Sequence, residues 1–119
     1  MAMRYLGFIK PAREYGEPPQ ALQEAMGKYV EQQITSGALV ETGGMAPTAD
    51  VVRVRLSGGN LSVVDGPFSE AKEVTGGYAI MEYDSKEAAI QGMRDFLDLH
   101  HKYWPEFEGE CELRELYKM

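Results

Sequence analysis

Two segments of helical periodicity, each set between short apolar runs, leave this chain few architectures. In the first, Leu22, Ala25, Met26, Tyr29, Val30 and Ile34 recur with a period of about 3.6 residues. Pro18 and Pro19 stand at its entrance, where a missing N–H costs least, and Ser36-Gly37 supplies its stop. In the second, Asp84-Ser85-Lys86-Glu87 matches a capping box, with Asp84 as N-cap and Glu87 reaching back. Ala89, Met93, Phe96, Leu97 and His100 then share one side. The flanking runs, Met3 to Ile9, "ALVETGGMAP", "GGYAIMEY" and "ELRELYKM", read as strands.

Between the helical segments lies "VVRVRLSGGNLSVVD". Val52, Val54 and Leu56 alternate with Arg53, Arg55 and Ser57, the pattern of a half-buried strand with a basic outer face. Ser57-Gly58-Gly59-Asn60 then turns the chain back as a hairpin. The order is therefore strand, helix, strand, hairpin, strand, helix, strand. It contains two β-α-β units and predicts an α+β protomer of ferredoxin-like plan, an antiparallel sheet with both helices on one face. The opposite face, if apolar, must find cover, and the expectation is a homodimer with sheets packed face to face.

A length of 119 residues suits a single domain over residues 1–119, able to bury a core without disulfides or metal. The net charge of −7 would repel a phosphate backbone, which argues against nucleic acid as a partner. The apolar start "MAMRYLGFIK" is too short for a signal peptide and no stretch approaches a membrane span, so a cytoplasmic protein is expected. Cys111, the only cysteine, reads as a small buried residue on a strand.

Asp65-Gly66-Pro67-Phe68, followed by Ser69-Glu70-Ala71-Lys72-Glu73 and Gly76-Gly77, resembles the DGPF signature of the YCII-related (DGPF-domain) family. The likeness continues through "PPQALQEAMGKYVEQQITSGALVETGGMAP" and "VVRVRLSGG", and "LHHKYWPEFEGECELREL" is similar to a variant ending in some members. It implies a dimeric α+β barrel of ferredoxin-like protomers. Distant relatives include an enzyme of chlorinated-aromatic breakdown, and the YCII branch is discussed in terms of a His–Asp pair with its histidine on the first helix. Here that helix, "ALQEAMGKYVEQQI", contains no histidine.

Asp65, at a strand end before Gly-Pro, is the first candidate for a proton-handling group; the alternative is a carboxylate that locks the following turn. Glu73 is a further acid–base candidate, and Lys72 beside it would hold an anionic ligand; the alternative is a solvated loop of self-paired charges. His100 and His101 are the only imidazoles, so any imidazole chemistry rests on them; His100, one turn after Phe96, faces the core or an interface and is the second candidate, after Asp65, for the proton-handling group. Adjacent helical residues point about 100° apart, so the two do not chelate one metal. Trp104-Pro105 reads as a packing anchor and helix stop. Met26, Tyr29, Met45, Phe68, Tyr78 and Met81 could line an apolar pocket between sheet and helices, as ligand contacts or simply as core.

No dinucleotide fingerprint, phosphate loop or metalloprotease helix occurs, and no cofactor is expected. Two functional readings follow. One is a cofactor-independent acid–base enzyme acting on a small organic molecule, with an aromatic one best suited to the pocket. The other is a non-catalytic binding or regulatory module.

Overall fold

The computed structural model describes residues 2–46, 50–65 and 76–118. The elements are β1 (Met3–Pro11), α1 (Gln20–Ser36), β2 (Leu39–Gly44), β3 (Val52–Ser57), β4 (Asn60–Asp65), β5 (Gly77–Tyr83), α2 (Lys86–Tyr103) and β6 (Gly109–Leu116). Four strands form one antiparallel sheet in the order β2-β5-β1-β6. This is the ferredoxin-like split β-α-β arrangement anticipated from the element order, with β5 inserted between β2 and β1.

Both helices lie on one side of the sheet, where Tyr5, Met81 and Ala89 form the buried centre and Met3, Leu39, Tyr83, Met93 and Leu113 pack against them. Leu22, at the start of α1, is fully buried. Ile34, the last residue of the α1 stripe, is exposed. Gly37 ends α1 in the left-handed conformation and its N–H bonds Ile34 O at 3.1 Å. At α2 the cap is Ser85 rather than Asp84. Ser85 has extended backbone and its Oγ accepts from Ala88 N at 3.1 Å, so the first turn begins one residue later than the capping-box pattern suggested.

A β-carbon at Gly92 would collide with the Tyr83 hydroxyl, so a larger residue there would displace that ring or the helix. The same residue joins the two helices, since Tyr29 Oη donates to Gly92 O at 3.0 Å.

Alternation along β1 turns Tyr5, Gly7 and Ile9 toward the helices and Arg4, Leu6, Phe8 and Lys10 away from them. On that outer face Arg4 Nε pairs with Glu82 Oε1 at 2.7 Å and Lys10 Nζ with Glu112 Oε1 at 2.9 Å. Leu6, Phe8 and Ile80 lie between the two ion pairs by register.

β3 and β4 form a separate two-stranded sheet that shares no ladder with the main one. Gly58 and Gly59, with φ of 57° and 79°, make the two-residue turn, which needs positive φ at both positions. The expected half-buried strand is not half-buried within the protomer. Val52, Val54, Leu56, Leu61 and Val63, paired on one face, are 58% to 76% exposed.

Candidate functional site

A cavity of about 910 Å³ lies between the helices and the sheet. Its floor is β1 and β5, its walls are α1 and α2, and one end is closed by the loop before α1 meeting the loop after α2. That closure is hydrogen-bonded. Glu108 N donates to Tyr15 Oη at 2.9 Å and Ala12 N to Glu108 O at 2.8 Å. Tyr15 also packs edge-on against Trp104 and at a tilt against Phe107, each with ring centroids 5.1 Å apart. The lining is mainly aliphatic and aromatic, with polar groups few and spaced, the usual character of a small-molecule pocket.

His100 is the group in this cavity with chemical potential. It is 5% exposed, the only buried polar or charged side chain among the described residues. Its ring lies between Phe96 and Phe107, with both centroids 4.8 Å away. Nδ1 sits 3.0 Å from Phe96 O. A carbonyl only accepts, so Nδ1 carries the proton and Nε2 of the neutral ring is a bare lone pair. No fully buried side-chain nitrogen or oxygen among the described residues lacks a partner, and no bond of Nε2 is present among them, so Nε2 keeps some access on a residue that borders the cavity. Burial pushes the His100 pKa below its ordinary value of 6.5, opposed in part by the Phe96 bond. The ring is therefore neutral near pH 7 and able to accept a proton or a hydrogen bond.

A model of the YCII-related domain matches residues 3–96. The chain belongs to the YCII-related family. It is also 34% identical over 74 residues to an uncharacterised protein of Rhizobium meliloti (strain 1021), an overlap of 62% of this chain and 56% of that one. The chain thus spans little more than half the length of that relative. The family match ends at Phe96, so His100, Trp104 and Phe107 lie in the segment that follows it.

In this YCII-related protein the residues singled out from sequence separate into three places. Tyr29, Met45 and Tyr78 border the cavity, as do Met26 and Met81. Tyr29 contributes its ring, for its hydroxyl is spent on Gly92 O and burial raises its pKa to about 12. Tyr78 Oη donates to Glu41 Oε2 at 2.7 Å, and that bond is the main reason its pKa is raised. Asp65 lies instead at the end of β4, exposed, opposite Val52 on the apolar side of the hairpin, and does not line the cavity. Phe68, Lys72 and Glu73 fall outside the described residues.

Cys111 borders the cavity from β6, its thiol pushed up to about 11 by burial, which suits an inert lining residue. Tyr15, Trp104 and Phe107 were not anticipated as cavity residues. The aromatic density of "HHKYWPEF" was visible, but the contact of Tyr15 with it spans most of the chain and leaves no local pattern. Among the described residues no group of His, Cys, Asp and Glu is arranged to hold a metal ion, and no helix is long and apolar enough to cross a membrane.

Proposed function

We propose that this YCII-related protein binds a small, largely apolar and preferably aromatic organic molecule between its sheet and helices, and that His100 exchanges a proton with it. The observation that carries this reading is the bare Nε2 of His100, held by a backbone carbonyl and two aromatic rings and open to an apolar cavity. In such surroundings an acidic O–H or C–H of a bound molecule is the natural partner of a neutral imidazole, because little water competes for the lone pair. The rings of Tyr29 and Phe96, 6.2 Å apart by centroid, offer faces and edges to a planar ligand. His100 rather than Asp65 is the proton-handling group in this reading, since Asp65 does not border the cavity. A binding module would use the same cavity and the same hydrogen bond without turnover.

Titration with para-nitrophenol, whose absorbance reports ionisation, tests the site. Saturable binding is expected, weakened about tenfold by His100→Gln through loss of one hydrogen bond. No saturable binding, or binding indifferent to His100→Gln and to a bulky Met26→Trp, would count against it. Turnover of related phenols or enolisable ketones, lost in His100→Gln with binding weakened only tenfold, would separate enzyme from module.

A further inference from the structure

About two turns of α2 before His100, the cavity is bordered by a hydroxyl that nothing among the described residues uses. We propose that this group, Tyr83 Oη, is the second hydrogen-bonding point of the site, donating to an acceptor on the side of the ligand's ring opposite the group at His100. The proposal rests on the reading of the cavity given above and narrows it. The ligand becomes a phenol or enol conjugated across its ring to a carbonyl or nitro oxygen.

Tyr83 ends β5 and borders the cavity. Its hydroxyl packs so near Gly92 that a β-carbon there would collide with it, and Tyr29 from α1 donates to Gly92 O. The two phenol side chains therefore meet where α1, α2 and β5 converge. They are not equivalent. Tyr29 already donates to the helix carbonyl, whereas the Tyr83 hydroxyl makes no hydrogen bond among the described residues. No fully buried side-chain oxygen among them lacks a partner, so Tyr83 Oη keeps some access on a half-buried residue that borders the cavity. A donor left idle in a largely apolar place gains from the first acceptor that reaches it. Burial, and after it the charge of Asp95, holds the Tyr83 pKa above its ordinary value of 10, so the group keeps its proton and remains a donor near pH 7.

Helix geometry sets the spacing. Gly92 and His100 are eight residues apart on α2, a rise of about 12 Å. A hydrogen bond of about 2.9 Å at each end leaves roughly 6 Å between the ligand's polar atoms, the span of one benzene ring with substituents on opposite sides. Met93 and Phe96 stand between the two positions on the same helix, border the cavity and offer that ring an apolar wall.

The two groups then act on one electron system. As the ligand's O–H bond breaks, the proton forms a bond with His100 Nε2 and the electron pair stays on the ligand, spread through the ring to the far oxygen. The imidazole takes the positive charge, and the far oxygen takes part of the negative charge at the point where Tyr83 donates. A hydrogen bond to an ionised acceptor is stronger than one to a neutral acceptor, so Tyr83 favours the ionised ligand.

Titration of the full chain with para-nitrophenol and with para-cresol, which lacks the acceptor, tests the assignment in wild type, Tyr83→Phe and His100→Gln. Tyr83→Phe removes the hydroxyl alone. It should weaken para-nitrophenol about tenfold, lower the ionised fraction of the bound molecule as read by absorbance, and leave para-cresol within about twofold. His100→Gln should weaken both. A Tyr83→Phe loss equal for the two phenols, or absent for both, would overturn the proposal, and the cavity reading would stand as long as His100→Gln still weakened them. No saturable binding of para-nitrophenol to the wild type would overturn both. Should Tyr83→Phe fail to fold, the wild type decides. Para-nitrophenol should bind about tenfold more tightly than meta-nitrophenol, whose acceptor is aimed elsewhere, and equal affinity would overturn the role of Tyr83.

Discussion

The cavity wall and the hairpin arm are both apolar surfaces that the protomer leaves unburied, and they differ in shape and in what they hold. The cavity is concave, closed at one end by Tyr15, Trp104 and Phe107, and it contains His100. The arm is convex, and its exposed apolar face carries aliphatic side chains with Asp65 at its base. A concave surface with one oriented polar group can select a small molecule, because the group fixes orientation and the walls exclude water. A convex aliphatic face can select nothing so small; it gains only by covering a large area of another surface. Hydrophobic exposure alone therefore does not identify a function, and curvature with the placement of polar atoms does.

Truncation is the sharpest way to separate the two regions. Leu22→Ala, at the start of α1, should lower stability by about 3 kcal/mol at any protein concentration, since the residue is fully buried within one chain. Leu61→Ala should cost much less, since the side chain is 76% exposed in the chain. Thermal melts at several concentrations measure both. Equal losses would erase the distinction drawn between body and arm.

A smaller effect is expected at the helix–sheet contact that shapes the cavity. Gly92→Ala drives a methyl group into the Tyr83 hydroxyl, so α2 or the ring must move. The cost should be about 1–3 kcal/mol, as for other insertions into packed cores. Gly92→Ala with Tyr83→Phe should recover part of it, because the colliding oxygen is gone. Chemical denaturation of the single and double variants gives the coupling.

How much of this could be read along the chain differs between the two regions in the same way. The helices, the four sheet strands and the hairpin turn are set by local periodicity and by Gly37 and Gly58-Gly59, so they were legible. The cap at α2 was misplaced by one residue because Asp84 and Ser85 are both good cappers and only the backbone decides between them. In the hairpin, alternation told that one face of Val52, Val54 and Leu56 wants cover, but alternation has no means of naming what covers it.

His100 was visible as a residue one turn beyond Phe96. Its isolation between Phe96 and Phe107 was not, because Phe107 arrives from beyond the end of the helix. The DGPF signature drew attention to Asp65, and the described part of that motif stands on the arm rather than in the cavity. A local motif reports the chain's relatives more readily than the position of its site.

Acidity offers a finer test of the cavity. His100 has a folded-state pKa below 6.5, so the unfolded chain takes up its proton first as pH falls. The stability this group contributes is complete above about pH 6.5 and is lost as pH drops through that value toward the folded pKa. His100→Gln should flatten the stability profile in that window. Denaturation curves at a series of pH values, compared between wild type and variant, measure the difference. An identical slope in both would mean that the imidazole is not held neutral by the cavity.

The smallest effect concerns thiol reactivity, and it sets the two surfaces side by side in one reagent. With its pKa near 11, Cys111 has roughly a thousandth of its sulfur as thiolate at pH 8, and the cavity restricts access as well. Alkylation by iodoacetamide should therefore be slow, and slower still when para-nitrophenol fills the cavity. A cysteine introduced at Ser62, on the polar side of the ribbon, should react at the rate of a free thiol at every protein concentration. One introduced at Val63, on the apolar side, should also react freely in dilute solution, since that face is exposed. Rapid alkylation of Cys111 would mean that the cavity is open to water, and the contrast between an enclosed concave surface and an exposed ribbon would then rest on the hairpin alone.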